Sequence, residues 1–202
     1  MDKTHWEKVY QTKPTTQVSW FQEHAELSLQ FIRNTGVAKD GHIMDVGGGA
    51  STLADDLLHE GYRNLTVLDI SAAALQAAQK RLGNDAAKVH WREADITQVE
   101  LPGASVDVWH DRAVFHFLTD PLDRQRYVQT VLRAVKPGGH VIVATFAEDG
   151  PLRCSGLDIM RYRPDTLHGE FGAAFELVNS ADEVHHTPSG SDQKFIYCYC
   201  RR

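Results

Sequence analysis

The sequence predicts an α/β fold built around a mostly parallel β-sheet. Up to about residue 150, short apolar segments alternate with segments of helical periodicity, as in repeated β–α units. The most apolar segment, Val141-Ile-Val-Ala144, lacks polar alternation, which is typical of a strand covered on both faces. Near the end of the chain, two strand-like segments flank the polar turn Thr187-Pro-Ser-Gly190 and predict an antiparallel pair at one sheet edge.

The elements follow one another in a regular order. We predict strands at residues 42–46, 64–69, 88–92, 105–110 and 140–146, followed by hairpin strands at 175–180 and 194–200. Helices are predicted at residues 18–34, 51–60, 72–82, 123–135 and 164–171. Ser71 is the expected N-cap of the 72–82 helix and Gly83 its end, while Lys136-Pro-Gly-Gly139 stops the 123–135 helix. Four β-then-α steps in succession imply right-handed crossovers.

Composition limits the classes of partner. The 202 residues suit one domain, and the net charge of −6 gives no general attraction to phosphate backbones, so nucleic acid is not an expected partner. No apolar run approaches the roughly 20 residues that span a bilayer, and the first ten residues lack the apolar core of a signal peptide. We therefore expect a cytoplasmic protein that does not enter a membrane.

The three cysteines do not form a disulfide framework. Their odd number argues against paired bridges, and a reduced compartment is expected. Cys198 and Cys200 alternate along one strand and should face the same side, as small, partly buried hydrophobes in an edge region. The sequence contains neither CxxC nor HxxxH, so no metal site is expected.

A glycine-rich loop lies directly between the first strand and the following helix. It reads Asp45-Val-Gly-Gly-Gly-Ala-Ser51, and Gly47 and Gly49 occupy the positions of a D-x-G-x-G arrangement. Asp69 ends the second strand and Asp95 follows the third. Each feature has a structural alternative: a tight turn, a strand terminator or a helix cap. Their coincidence at the carboxyl ends of successive strands, where open α/β sheets bind ligands, predicts a nucleoside site.

The loop distinguishes between two adenosine-containing cofactors. A dinucleotide fingerprint requires a last glycine, which is missing from Gly47-Gly-Gly-Ala-Ser-Thr52. Asp45 would also repel a pyrophosphate but attract a cationic ligand. S-adenosylmethionine carries an ammonium and a sulfonium where NAD carries phosphates, so charge favours the methyl donor.

At this point the sequence resembles the class I S-adenosylmethionine-dependent methyltransferases, and its aromatic N-terminus resembles their small-molecule branch. The likeness covers about residues 41–146 and is carried by 43–49, 67–70, 93–96, 106–116 and 132–139. It implies a Rossmann-like three-layer sandwich with a mostly parallel seven-stranded sheet and an antiparallel last strand. It also implies S-adenosylmethionine as cofactor and S-adenosylhomocysteine as product. Ser51 departs from the third glycine of many members.

The resemblance assigns the methionine portion to Gly47 and Gly49, the ribose to Asp69 and the adenine to Asp95. The full set expected to contact the cofactor is Asp45, Gly47, Gly48, Gly49, Asp69, Ile70, Asp95, Ile96, Asp111, His116 and Trp20. Residues 1–202 are expected to form one methyltransferase domain: an N-terminal helical cover (1–40), a cofactor-binding core (41–146), and a lid segment with the C-terminal hairpin (147–202).

The end of the fourth strand offers the candidate catalytic residues. His110 could act as a general base, or it could point into the packing layer of the sheet. Asp111 could contact donor or acceptor, and Arg112 could bind an anionic acceptor or pair with Asp111. Aromatic residues of the N-terminal cover either shield the sulfonium or pack the first helix on the sheet: Trp6, Tyr10 and Trp20.

The expected function is methyl transfer to a small-molecule acceptor with an O, N, S or heavier chalcogen nucleophile. A protein lysine methyltransferase is the alternative and predicts an open, acidic acceptor channel. A non-catalytic S-adenosylmethionine-binding protein and, last, a nicotinamide oxidoreductase are further alternatives. The expected assembly is a monomer or a homodimer, since an exposed edge strand could support dimerisation.

Overall fold

A computed structural model of the chain describes residues 2–202. Its principal strands are β1 (Ile43–Val46), β2 (Leu65–Asp69), β3 (Val89–Glu93), β4 (Val106–Arg112), β5 (Val135–Phe146), β8 (Glu176–His186) and β9 (Asp192–Arg201). They form one seven-stranded sheet in the order β3-β2-β1-β4-β5-β9-β8. The short strands β6 (Arg153–Cys154) and β7 (Leu157–Asp158) form a separate hairpin after β5.

Within residues 2–202, six α-helices surround the sheet. They are α1 (Lys3–Thr12), α2 (Glu26–Asn34), α3 (Leu53–His59), α4 (Ala72–Leu82), α5 (Pro121–Ala134) and α6 (Pro164–Phe171). Among residues 2–202 the structure contains no helix that is both long enough and apolar enough to cross a bilayer.

The pairing of the strands confirms the predicted fold class. β1 to β5 pair in parallel, and β9 runs antiparallel to both β5 and β8. The strand order reverses at β1, which has β2 on one side and β4 on the other. A crevice opens at such a point above the carboxyl ends of the strands, and this is where α/β sheets of this type bind ligands.

Each face of the sheet carries its own apolar core. One core packs α5 and α6 on the sheet through large rings that include Trp109, Phe115 and Tyr127. The other packs α2 and α3 on the opposite face around residues such as Phe31 and Leu57. The strict alternation of β9 separates the two layers: its cysteines lie in the first core and its tyrosines in the second.

Several local predictions are confirmed. α4 covers residues 72–82, and the Ser71 side chain accepts a hydrogen bond from the Ala74 N–H as its N-cap. α6 covers residues 164–171 as predicted, and α5 ends at Ala134, directly before the predicted stop. The C-terminal hairpin lies at one sheet edge, with β8 outermost.

The predicted helix at residues 18–34 is wrong in its first half. α2 begins only at Glu26, and residues 18–25 form turns and irregular structure. Tertiary contacts explain the difference. The Trp20 carbonyl accepts a hydrogen bond from Arg112, and the Gln22 side chain donates one to Glu183. These bonds hold the segment across the sheet edge, which outweighs a local helical preference.

Two further predictions need correction. The third β–α step contains no helix, because residues 94–105 connect β3 to β4 as turns and loop. Cys198 and Cys200 face the same side as predicted, with their sulfurs 3.6 Å apart. They are not in an edge region, however, since β9 lies between β5 and β8 and both cysteines are at most 2% exposed.

Candidate active site

The glycine loop after β1 turns through left-handed backbone. Gly47 has φ +68° and Gly49 φ +33°, conformations that side chains disfavour. A Cβ on Gly47 would lie 1.9 Å from Val114 Cγ2, and one on Gly48 would lie 2.2 Å from Asp45 Oδ2. The protein itself therefore requires glycine here, and this packing brings the loop backbone against the end of β1.

Asp45 lies at the carboxyl end of β1, and only one of its two carboxylate oxygens has a hydrogen-bond partner among residues 2–202. It is 5% exposed, and its Oδ1 lies 2.7 Å from His110 Nδ1. Its Oδ2 is buried without a hydrogen-bond partner among residues 2–202. Because a buried carboxylate oxygen without a partner is costly, this atom is suited to a donor that a ligand brings.

Asp69 ends β2 and is also buried. Its Oδ1 accepts a hydrogen bond of 2.8 Å from the Ser71 N–H. Burial raises the pKa of this carboxyl to about 7, and the nearby charges of Asp45 and Glu7 raise it further, against the lowering effect of backbone hydrogen bonds. The strand ends thus gather negative charge in a poorly solvated place.

A cavity with two adjoining lobes opens above these strand ends. The first lobe, about 580 Å³ including its mouth, is lined by Asp69, Ile70, Ala94 and Ile96, and by the rings of Trp6, Tyr10, Trp20 and Phe117. The second lobe, about 550 Å³, is lined by Asp45, Gly47, Gly48 and His110 among others. The two lobes share four lining residues: Tyr10, Trp20, Gly47 and Arg112.

The N-terminal helix α1 covers the first lobe. Trp6 packs edge-on against Trp20 and Phe117, at centroid distances of 5.7 and 5.0 Å. The Glu7 carboxylate accepts hydrogen bonds from the backbone N–H groups of Ala72 and Ala73, at 2.5 and 3.2 Å. Glu7 therefore caps the N-terminus of α4, where a negative charge is stabilised, and this contact docks α1 over the cavity.

The three candidate catalytic residues at the end of β4 have different surroundings. His110 is 2% exposed, and its Nε2 lies 2.9 Å from Ser28 Oγ, so both ring nitrogens have partners. This placement agrees with the alternative that His110 belongs to the packing layer of the sheet, although the ring borders the second lobe. No nitrogen of His110 is left to take a proton from an acceptor.

Asp111 lies on the other face of β4, outside the lining of both lobes. It is fully buried, and its Oδ2 accepts a 2.6 Å hydrogen bond from the Tyr127 O–H. Its Oδ1 accepts from the backbone N–H groups of Val114 and Phe115. Burial raises the pKa of Asp111 to about 6. The geometry therefore gives Asp111 a role in the fold and places its carboxylate outside the lining of both lobes.

Arg112 lines both lobes but does not pair with Asp111. Its NH2 group lies 2.9 Å from Glu183 Oε2, and its Nε donates to the Tyr197 hydroxyl at 3.0 Å. The guanidinium also lies 4.2 Å from the ring centroid of Phe195. The expected pairing with Asp111 is thus replaced by a partner from β8, which neutralises the charge that an anionic acceptor would need.

Two further expected residues are held beside the cavity. His116 is fully buried, and its Nδ1 accepts a hydrogen bond from the Phe146 N–H. Burial, assisted by Arg112, lowers the pKa of His116 to about 3, so this imidazole is neutral. Asp95 accepts hydrogen bonds from the N–H and O–H of Thr97, while its neighbours Ala94 and Ile96 line the first lobe.

The structure therefore brings most of the expected cofactor residues together. Those that line the cavity are Asp45, Gly47, Gly48, Asp69, Ile70, Ile96 and Trp20. Those outside its lining are Gly49, Asp95, Asp111 and His116. Sequence reasoning missed Phe117, Glu183 and Ser28. Phe117 follows His116 directly and could have been found, whereas the other two come from distant segments and carry no local signal.

Comparison with known proteins agrees with this geometry. Residues 43–139 match the family model of a methyltransferase domain. The chain is 35% identical over 104 residues to an uncharacterised methyltransferase of Mycobacterium bovis, covering 52% of this chain and 50% of that protein. It is 26% identical over 150 residues to the eEF1A lysine and N-terminal methyltransferase of Mus musculus, covering 71% of this chain and 21% of that protein. The chain thus spans half of one relative and about a fifth of the other.

A solved structure shows the same fold over nearly the whole chain. The 1,6-didemethyltoxoflavin-N1-methyltransferase of Burkholderia thailandensis, bound to its substrate and S-adenosylhomocysteine, superposes with a TM-score of 0.73 at 16% identity. The match covers 99% of this chain and 86% of that one. At this identity the likeness concerns the fold alone. Residues 43–139 therefore match a methyltransferase domain, and the whole chain shares the fold of a methyltransferase solved with S-adenosylhomocysteine, with its cavity at the switch of strand order.

Proposed function

We propose that this chain transfers a methyl group from S-adenosylmethionine to a small-molecule acceptor with an O, N, S or heavier chalcogen nucleophile. One observation carries the proposal. Two buried carboxylates, Asp45 and Asp69, border adjoining lobes of a single cavity, and aromatic rings cover that cavity. Such a pocket suits a positively charged nucleoside and encloses the ligand rather than exposing it to a protein surface.

The residues of the cavity fit the methyl donor in both lobes. Asp69 would accept hydrogen bonds from the ribose hydroxyls, and Asp45 Oδ2 would accept one from the ammonium of the methionine portion. Ile70, Ala94 and Ile96 offer apolar surfaces for the adenine. A pyrophosphate would instead meet two carboxylates, which argues against a nicotinamide cofactor.

The aromatic cover would serve the donor by electrostatics and by excluding water. A cation over an aromatic face gains stabilisation, more so when it is desolvated. Trp6, Tyr10 and Trp20 meet at the junction of the cover and the cavity, and Phe117 completes the wall. We infer that this wall faces the sulfonium and also packs α1 on the core, since the rings contact one another.

S-adenosylmethionine, when bound, supplies a methyl group that its positively charged sulfur has already activated. The chain then needs to orient the two reactants and keep water out. Apart from Asp45 and Asp69, which we assign to the donor, the side chains that line the cavity among residues 2–202 offer no free general base. Both His110 nitrogens are bonded, burial raises the pKa of the Cys154 thiol to about 12, and burial raises that of the Tyr10 hydroxyl well above its usual range. We infer an acceptor that brings its own lone pair, such as a thiolate, a heavier chalcogenide or a neutral amine.

One observation favours a protein lysine substrate. An open groove beside the second lobe is lined by Glu23, Glu26 and Glu183, as an acidic acceptor channel would be. The mouse relative is named for activity on lysine and N-terminal groups of eEF1A. Against this, a lysine ammonium must lose a proton before it can attack, and the two carboxylates of the lining, Asp45 and Asp69, are assigned to the donor.

Two measurements test the proposal. Calorimetry should show binding of S-adenosylhomocysteine and none of NAD; the opposite result would refute the cofactor site. Labelled S-adenosylmethionine should then be offered to a panel of small thiols, chalcogenides, amines and hydroxyl compounds, and separately to purified eEF1A. Label in a small product supports the proposal, whereas label in eEF1A alone supports the lysine alternative. Donor binding without any transfer would support the non-catalytic alternative.

A further inference from the structure

A buried chain of hydrogen bonds connects two charged side chains that line the second lobe of the cavity. It runs from Arg112 through Tyr197, Ser28 and His110 to Asp45. Arg112 Nε lies 3.0 Å from the Tyr197 hydroxyl, which lies 3.2 Å from Ser28 Oγ. Ser28 Oγ lies 2.9 Å from His110 Nε2, and His110 Nδ1 lies 2.7 Å from Asp45 Oδ1. We call these five residues the buried relay.

The two end residues of the buried relay indicate the direction of its hydrogen bonds. A guanidinium only donates hydrogen bonds, and a carboxylate only accepts them. The Tyr197 hydroxyl, which accepts from Arg112, has two acceptors within reach of its own proton, Ser28 Oγ at 3.2 Å and Glu183 Oε2 at 3.5 Å, and we assign the proton to the nearer one. Ser28 then donates to His110 Nε2, and His110 Nδ1–H donates to Asp45. With this assignment, the four hydrogen bonds that link the five residues all run in one direction, from Arg112 to Asp45.

The hydroxyl groups of Ser28 and Tyr197, the middle members of the buried relay, lie in the protein interior. Ser28 lies within α2, and its side chain is fully buried, as is that of Tyr197 in β9. Neither lines the cavity. A serine in a helix interior and a tyrosine in a core strand both cost free energy unless their hydroxyls are bonded. Here the hydroxyls bond to each other and to the two side chains that do border the cavity.

We propose that Ser28, Tyr197 and His110 are positioning residues that fix the orientation of the Asp45 carboxylate, with its free Oδ2 presented to the second lobe. This rests on the proposed function, in which Asp45 receives the ammonium of the donor. The aligned hydrogen bonds end on Asp45 Oδ1 and leave Oδ2 without a partner among residues 2–202. The relay thus reserves the carboxylate for a cationic ligand, and His110 is not the general base.

The test compares two ligands that share adenosine. S-adenosylhomocysteine carries the amino-acid ammonium, and 5′-methylthioadenosine lacks it. In Ser28→Ala we expect the affinity for S-adenosylhomocysteine to fall about tenfold while that for methylthioadenosine stays unchanged, and Tyr197→Phe should show a smaller loss of the same kind. Thr145→Val is the matched control, because its buried hydroxyl has no partner among residues 2–202 and lies outside the relay.

The outcomes separate this proposal from the proposed function. Equal losses for both ligands, or no loss for either, would overturn the positioning role while leaving the donor site intact. Failure of the unaltered protein to bind S-adenosylhomocysteine would instead refute the proposed function.

A second measurement needs no ligand. Nitrogen NMR of 15N-histidine-labelled protein should show a proton on His110 Nδ1 and an Nε2 that accepts a hydrogen bond, and Ser28→Ala should change the Nε2 signal. His110 signals can be identified by their loss in His110→Gln. An imidazolium, or a proton on Nε2 alone, would contradict the orientation of the relay.

Discussion

The carboxyl ends of β2 and β4 lie at the same edge of the sheet, and each carries a buried aspartate. Asp69 and Asp111 are 7% and 0% exposed, and burial raises the pKa of both, to about 7 and about 6. Their partners differ. Asp111 is surrounded by the hydroxyl of Tyr127 and two backbone N–H groups, whereas Asp69 faces a cavity.

The difference shows that an acidic residue at a strand end is not by itself a ligand site. What matters is whether the carboxylate oxygens already accept hydrogen bonds from the protein. Asp111 accepts hydrogen bonds from the turn after β4 and from Tyr127 of α5, so its hydrogen bonds stabilise the fold. Asp69 keeps capacity for hydroxyl donors in a place with little water, which is where a hydrogen bond to a charged group is strongest.

Replacing the cavity-facing carboxylate should have the largest effect on binding. In Asp69→Ala we expect the affinity for S-adenosylhomocysteine to fall roughly a hundredfold, because two hydrogen bonds to a charged acceptor are worth about 1.5 kcal/mol each. Isothermal titration calorimetry measures the change. The unfolding midpoint should change less than in Asp111→Ala, because the loss of the acceptor of the Ser71 N–H is offset by the removal of a buried carboxyl group. Unchanged affinity would exclude Asp69 from the donor site.

Removing the other carboxylate should affect stability instead. Asp111→Ala leaves the Tyr127 hydroxyl and the N–H groups of Val114 and Phe115 without their acceptor. We expect a loss of about 3 kcal/mol in the free energy of unfolding. Urea denaturation should show a lower midpoint with an unchanged slope, and the folded variant should bind S-adenosylhomocysteine within about twofold of the parent. A large loss of affinity in a stably folded variant would contradict this separation of roles.

The pH dependence should be the smallest of the three effects and sharpens the same comparison. Because burial raises the pKa of Asp69 to about 7, the folded protein retains a proton that the unfolded chain has released above about pH 4. Stability should therefore fall as pH rises from about 4 to about 7, while donor affinity rises about tenfold between pH 6 and pH 8 as the carboxylate ionises.

The matched variant for that experiment is Asp69→Asn. This variant keeps Asp111, whose pKa is about 6. Asp111 therefore also makes stability fall as pH rises, but only up to about pH 6. The part of the stability profile between about pH 6 and pH 7 should therefore vanish in Asp69→Asn. Identical profiles for the two proteins would show that Asp69 does not titrate in this window.

The elements that could be predicted from the sequence are those set by neighbours along the chain. The N-cap Ser71, the stop after Ala134 and the helix at residues 164–171 all depend on local hydrogen bonds or on proline and glycine geometry. The helix predicted from residue 18 is wrong in its first half because Arg112 and Glu183 bind that segment from distant strands.

The candidate site divides in the same way. Local spacing placed Asp45, Gly47 and Asp69 at strand ends, and the parallel sheet brings strand ends together. The direction of each side chain is a different matter. Asp111 points away from the cavity and His110 is bonded on both nitrogens, which depends on Tyr127 and Ser28 from other elements.

The sequence by itself determined the order of strands and helices, the glycine turn and the acidic strand ends, because backbone preferences and hydrophobic periodicity act over a few residues. Only the tertiary structure decided which polar atoms can still form a hydrogen bond with a ligand. A carboxylate, an imidazole or a guanidinium finds its partner through space, so the pairings of Arg112 with Glu183 and of His110 with Asp45 carry no signal in the local sequence.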